Sequence, residues 1–274
     1  MPLETILLIT FGGVLTGIIG ALFGIGGGVF FIPFLVLLLD IPMHQAIATS
    51  LVAVIATSSA AASVNIERRF TNIRLGVLLE TATTVGAVLG GMTANILSED
   101  VLSRLFGGLL FFVAILMASR LRQRESSTPE TPPAQGGKLG ASYYDPALQE
   151  EVRYDVRRVP AGLGVSFFAG NVSGLLGVGG GIIKVPAMTL LCGLPMKAAA
   201  ATSNFMIGVT ALASVFIYFA HGHVHAVVTG AGVVGVLGGS LLGTYLSGRL
   251  HGKLIIGLFV VILITVAIEM FLQS

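Results

Sequence analysis

Charge is scarce in these 274 residues: Lys, Arg, Asp and Glu make up 10% of the chain while 54% is hydrophobic, and ordinary soluble domains carry about 25% charge. With a mean hydropathy of +0.94, such a chain is a polytopic membrane protein. Tryptophan is absent, and the single cysteine, Cys192, excludes an intramolecular disulfide and any cysteine-based metal motif. The net charge is only +2, and the basic residues are spread over short loops and one linker, so no stripe faces a polyanion and nucleic acid is not an expected partner. No P-loop, dinucleotide fingerprint or nucleophile–base pair occurs, so neither an enzyme nor a cofactor is expected. The amino terminus, MPLETILLITFGGVLTGIIGALFG, lacks the basic region of a cleaved signal and reads as the first span.

What the chain does contain is a duplication. Adding 153 to each position of Gly20–Ser50 lands, without a gap, on Ser173–Ser203. Gly24, Gly26, Gly27 and Gly28 become Gly177, Gly179, Gly180 and Gly181, Pro33 becomes Pro186, and Ala48-Thr49-Ser50 becomes Ala201-Thr202-Ser203. Further on, after a few residues lost in a loop, Gly90-Gly91 matches Gly238-Gly239. A duplicated membrane unit points to two related halves with a site between them.

A span needs about 20 apolar residues. Ile6–Leu39 is too long for one, and its glycine cluster and Pro33 predict a helix, a break and a shorter helix, because glycine and proline both disfavour a helix interior. Broken backbone survives at membrane depth only where protein or a watery cavity satisfies it, so each break marks a candidate site. The expected architecture is an all-α polytopic membrane protein: a first repeat over 1–121, a cytoplasmic linker over 122–159 and a second repeat over 160–274. Each repeat has one broken helix, giving about 8 full spans or 10 segments. The linker is polar and rich in proline, and its Tyr143–Arg158 part is read as a short helix or a piece docked at the surface. If each broken segment turns back, Lys197, Arg249 and Lys253 join Arg68, Arg69, Arg74 and the linker on one side, leaving Arg104 opposite. The excess of positive charge on cytoplasmic loops favours this inverted arrangement over parallel repeats.

Several residues could carry chemistry. Gly26, Gly27 and Gly28, with Gly179, Gly180 and Gly181, would expose backbone N–H groups at half-helix ends to a small oxyanion; the alternative is close helix packing. Lys184, where the first copy has Phe31, would add a positive charge at membrane depth, or else snorkel to the interface. Thr49, Ser50, Thr202, Ser203 and Asn204 could complete the anion's hydrogen bonds or serve as packing contacts, with Asn171 and Ser173 weaker candidates. Glu80 is a candidate for proton coupling, against the plainer reading of an interfacial Glu paired with Arg74. His221, His223 and His225 alternate without cysteine or carboxylate company and read as a solvated loop rather than a metal site.

The paired segments GIGGGVFFIP and GVGGGIIKVP, followed by PMHQAIATS and PMKAAAATS, resemble the TauE/SafE family of sulfite exporter-like membrane transporters. The resemblance spans both halves and excludes the linker. It implies a secondary carrier in the cytoplasmic membrane for small anions such as sulfite, an organosulfonate like sulfoacetate, or a related carboxylate. An anion channel, or a transporter of a different small solute, stays open beside it. The expected partners are that substrate and the lipid bilayer, and self-association is compatible with the chain. Phe31 opposite Lys184 makes the two halves chemically unequal.

Overall fold

The computed structural model describes residues 3–23, 27–122, 139–145, 149–247 and 253–272. Along it run α1 (Leu3–Phe23), α2 (Gly28–Pro33) with a π-helical turn (Phe34–Leu38), α3 (Met43–Glu67), α4 (Ile73–Ile96) and α5 (Glu99–Arg122). Then follow strands β1 (Ala141–Asp145) and β2 (Glu150–Tyr154), and α6 (Val159–Leu176), α7 (Gly181–Leu190), α8 (Met196–Ala220), α9 (Ala226–Ser247) and α10 (Lys253–Leu272). Among the described residues, α1, α3, α4, α6, α8 and α9 are long and apolar enough to cross a membrane. Gly28–Leu38, Gly181–Leu190 and Val260–Leu272 are shorter apolar helical stretches. The protein is a multi-pass, all-α membrane protein with one small β element added.

Both breaks fall where glycine and proline predict them. The second is built from left-handed backbone: Gly177, Gly179 and Gly180 have φ of 71°, 74° and 70°, a region closed to most side chains. The Gly177 N–H bonds the Ser173 carbonyl at 2.8 Å to end α6, and the Lys184 N–H bonds the Gly180 carbonyl at 3.1 Å to open α7. Gly27, the match of Gly180, is right-handed with φ −65°, so identical glycine spacing gives two different turns. Gly24 to Gly26, including the candidate Gly26, lie outside the described residues. Pro33 has no N–H to give, and directly after it the ladder loosens into the π-helical turn.

Helix faces are sorted by size rather than polarity. Leu7, Phe11 and Leu15 of α1 and Phe216 and Phe219 of α8 are exposed outwards, while glycines line the contacts between helices, since lipid leaves close approach as the main source of attraction. A Cβ on Gly170 or Gly174 of α6 would strike the Thr83 or Ala87 carbonyl of α4, and one on Gly86 or Gly90 would strike the Phe167 or Asn171 carbonyl of α6. In the same way Gly235 and Gly239 of α9 press on the Thr10 and Val14 carbonyls of α1. Contacts advance together in both pairs, so α1 runs parallel to α9 and α4 parallel to α6. Each pair joins a helix of one half to a helix of the other; α3 against α8 connects the two assemblies, and α5 lies on α10.

One end of the molecule carries the hairpin. β1 and β2 pair antiparallel from Ala141 opposite Tyr154 to Asp145 opposite Glu150, which replaces the short helix considered for Tyr143–Arg158. Alternation decides it: Tyr143, Asp145 and Tyr154 are buried while Ser142, Tyr144 and Arg153 are exposed, a period of two that only a strand satisfies. The hairpin docks by the Tyr143 ring set edge-on to Phe70, 5.3 Å between centroids, and by Lys197 Nζ at 2.7 Å from both carboxylate oxygens of Asp145. The Arg157 N–H also bonds the Cys192 carbonyl at 3.0 Å. The start of α4, the start of α6 and the α7–α8 loop therefore share this end. At the opposite end, His44 Nε2 meets the Ala94 carbonyl at 2.9 Å and its ring stacks on His223 at 4.8 Å. Burial, with His44 and His221 alongside, pushes the His223 imidazole below its ordinary value. Among the described residues no three His, Cys, Asp or Glu are placed to hold a metal ion.

Candidate functional site

The two breaks meet in the interior. Ser50 Oγ on α3 donates to the Gly177 carbonyl at 2.9 Å, and a Cβ on Gly28 would lie 2.5 Å from that Oγ and 3.0 Å from that carbonyl. Val54, one turn along α3, would stand 3.2 Å from a Cβ on Gly28 and 3.1 Å from one on Gly179. Side chains larger than hydrogen at these positions would force the two breaks apart.

Beside this junction lies a cavity of about 570 Å³. Gly27, Val178 and Asn204 line it at the depth of the breaks, and its wall follows α3 through Thr57, Ser58 and Asn65 to Arg68, with Ser240 across from them on α9. From Val54 to Arg68 the chain advances 14 residue steps, or about 21 Å of helix, so the cavity reaches from mid-span towards the hairpin end. Thr57 and Ser58 donate to the Ala53 and Ile55 carbonyls of their own helix. The Asn204 amide and the exposed Arg68 guanidinium make no side-chain hydrogen bond among the described residues. Among the described residues, one cation and no carboxylate line the cavity.

The other candidates are distributed around the junction. Gly28 and Gly179–Gly181 form its packed interior. Thr49 Oγ1 lies 3.4 Å from Thr229 Oγ1, and Thr202 Oγ1 accepts the Asn72 N–H at 3.0 Å, so each of these matching threonines meets the opening of a helix from the other half. Ser203 and Ser173 are buried beside the second break, and their hydroxyls have no partner among the described residues. Lys184 lies away from the cavity wall. It is 1% exposed, and its Nζ donates to Thr210 Oγ1 at 2.7 Å and sits 3.7 Å from Glu80 Oε2. Thr210 in turn donates to Glu80 Oε1 at 2.7 Å, where Thr84 also donates at 3.3 Å. Glu80 thus pairs with Lys184 inside the protein and not with Arg74, which is exposed.

The sequence profile of the family described as Sulfite exporter TauE/SafE matches residues 9–270. The chain belongs to that family. Relatives of this TauE/SafE chain include the probable membrane transporter protein YunE of Bacillus subtilis, 25% identical over 269 residues that make up 96% of each chain. A probable membrane transporter protein of Xylella fastidiosa is 28% identical over 277 residues, covering 100% of this chain and 98% of the relative. The probable membrane transporter protein YdhB of Bacillus subtilis is 28% identical over 235 residues, 86% of each. No solved structure matches it.

Within this TauE/SafE protein, sequence reasoning passed over two residues that the structure brings forward. Arg68 was one of several basic loop residues; only the path of α3 brings it to the cavity mouth. Thr210 is the match of Thr57 at the same offset of 153, and a hydroxyl was the signal available, because two buried charges need a hydrogen-bonding third group.

Proposed function

We propose that this protein is a secondary transporter that moves a small anion across the cytoplasmic membrane: sulfite, an organosulfonate such as sulfoacetate, or a related carboxylate. The observation that carries the reading is the cavity, which ends on the meeting point of two broken helices and, among the described residues, holds Arg68 and the Asn204 amide without any carboxylate. The family description supports the sulfur-oxyanion class, and the relatives' names support transport over catalysis. The residues assigned to the path are Gly27, Asn204 and Arg68, with the buried Ser173 and Ser203 hydroxyls and the Gly179–Gly181 backbone as the inner group. We read the two halves as inverted repeats of five segments each. Supporting this, α1 begins at the end opposite the hairpin while α6 begins beside it, and each runs parallel to its partner α9 or α4. An anion channel is the competing reading, since the same groups would line a pore.

A thermal-shift screen of the purified protein against sulfite, sulfate, thiosulfate, sulfoacetate and short carboxylates tests the proposal. A ligand at 100 times its Kd stabilises the folded state by about 2.7 kcal/mol. Stabilisation by sulfite or a sulfonate that is weakened in Asn204→Leu is the expected result; no anion stabilising the wild type would refute the anion site. Saturable flux without single-channel conductance in a planar bilayer separates carrier from channel.

A further inference from the structure

The Glu80–Lys184 pair has no part in lining the cavity, and the fold does without it elsewhere. Lys184 and Thr210 match Phe31 and Thr57 at the offset of 153, and Glu80 and Thr84 match Val228 and Gly232 at the offset of 148 set by Gly90 and Gly238. In the first-half version Phe31 is fully buried with its ring against Gly232, 2.7 Å from where a Cβ would stand, and Val228 is 1% exposed. An apolar ring, a valine and a glycine therefore stand where the other half has an ammonium, a carboxylate and a hydroxyl, while Thr57 keeps the hydroxyl that matches Thr210. Buried ion pairs are often no more stabilising than apolar residues of similar volume, so packing alone does not account for the charges. Ionisable groups at membrane depth mark ion pathways and proton relays.

The geometry points to a coupling role. We propose that Glu80, held by Thr210 and Lys184, is the proton-binding site through which this protein links proton movement to anion transport, an inference that rests on the anion-transport reading above. Glu80 Oε1 receives the hydroxyls of Thr210 and Thr84, while Oε2 is buried and accepts no hydrogen bond among the described residues. A proton taken from solvent bonds to a carboxylate oxygen, converts the anion to a neutral acid and breaks no other bond. Lys184 then stands as a buried ammonium without its counter-charge, and an entering anion supplies one. Proton and anion each favour the binding of the other, and by linkage the effect is reciprocal. Thr210 lies one helical turn, about 5 Å, beyond Ile207, which lines the cavity, so the anion's charge is felt at the pair from the cavity wall.

The groups facing Glu80 are few. Lys184 is the single titratable side chain of α7, and α6 carries none. On α8, Lys197 is engaged by Asp145, and the Tyr218 hydroxyl donates to the Gly174 carbonyl at 3.0 Å. On α4 itself Arg74 is exposed, and towards the hairpin Tyr143, Tyr154 and Cys192 share a buried cluster with Leu79.

Two measurements test the proposal, the first without any substrate. Infrared difference spectra of the purified protein, taken between about pH 5 and pH 8, should show a protonated-carboxyl stretch in the wild type that is missing from Glu80→Gln and from the charge-balanced double variant Glu80→Gln/Lys184→Met. The same band in all three proteins would overturn the assignment of the proton to Glu80. The second uses proteoliposomes and radiolabelled sulfite. One proton per monovalent anion lets a gradient of one pH unit drive about tenfold accumulation. Wild type should respond in that measure, and in the double variant the inside-to-outside sulfite ratio should fall to one while sulfite exchange continues. A double variant that still accumulates sulfite would overturn the coupling. Wild-type protein that moves no sulfite under any gradient would refute sulfite as substrate, while the infrared result still decides the proton site.

Discussion

Lys184→Met is the perturbation whose cost the structure fixes most tightly. Methionine keeps an unbranched stem of similar bulk, so the variant deletes the charge and its donors with little change in volume. What it leaves behind is Glu80, 6% exposed, with its ammonium partner gone and only Thr210 and Thr84 hydroxyls on one oxygen. Breaking a buried pair by removing one member costs about 3–5 kcal/mol, whereas replacing both by neutral groups of similar size is close to neutral. Glu80→Gln alone strands the ammonium beside a neutral amide, as protonation of Glu80 does, and should cost less than Lys184→Met. Glu80→Gln/Lys184→Met should recover most of both losses and lie within about 1 kcal/mol of the wild type, a coupling energy well beyond the 0.3–0.5 kcal/mol scatter of independent sites. The assay is reversible unfolding by SDS in detergent micelles for wild type, both single variants and the double. Additive single costs, or a Lys184→Met protein as stable as the wild type, would refute the argument that the two charges satisfy one another.

Further outcomes follow from other parts of the structure. Gly239→Ala should abolish folded expression because its Cβ would strike the Val14 carbonyl, while the adjacent Gly238→Ala meets nothing within 4 Å and should stay within about 0.5 kcal/mol of the wild type; size-exclusion profiles of the two distinguish these. Arg68→Gln should weaken sulfite binding by only about threefold to fivefold, since an exposed charge near 4 Å is worth about 1 kcal/mol in water, and titration calorimetry at two salt concentrations checks it. Because His223 is held below its ordinary value in the folded state, the unfolded chain binds more protons near pH 6.5, so stability should fall as pH drops below about 6.5. His223→Gln should flatten that part of the pH–stability curve. Tyr144→Cys, in a Cys192→Ala background, should resist an impermeant thiol reagent in intact cells and react in inverted vesicles if the hairpin end is cytoplasmic.

The broken helices were legible because glycine and proline act locally: their positions alone interrupt an apolar run, and both breaks fall where Gly27 and Gly177–Gly180 put them. The different turns at Gly27 and Gly180 were not, since identical glycines permit either hand and the surrounding contacts choose. The hairpin was concealed by its polar setting, although Tyr143, Asp145 and Tyr154 carry the strand alternation within a stretch too short to stand out beside the prolines. The pairing of Glu80 with Lys184 joins residues more than 100 positions apart, and no periodicity encodes such a meeting. Lys184 was visible as an ionisable residue at membrane depth; which partner it takes is decided only when α4 lies against α6 and α8.

The glycine seams also impose an order of assembly on the ribosome. α6 meets its partner as soon as it emerges, for α4 is already in the membrane, whereas α1 has to wait until α9 has been synthesised. At 5–20 residues per second, the interval from Phe23 to Ser247 is roughly 10 to 45 s. During that time the carbonyls of Thr10 and Val14 face lipid or a chaperone in place of the glycines that will cover them. Of the two assemblies, the one containing the first glycine break is thus the later to close, and a chain cut within the linker has to bring its two pieces together before either one is complete.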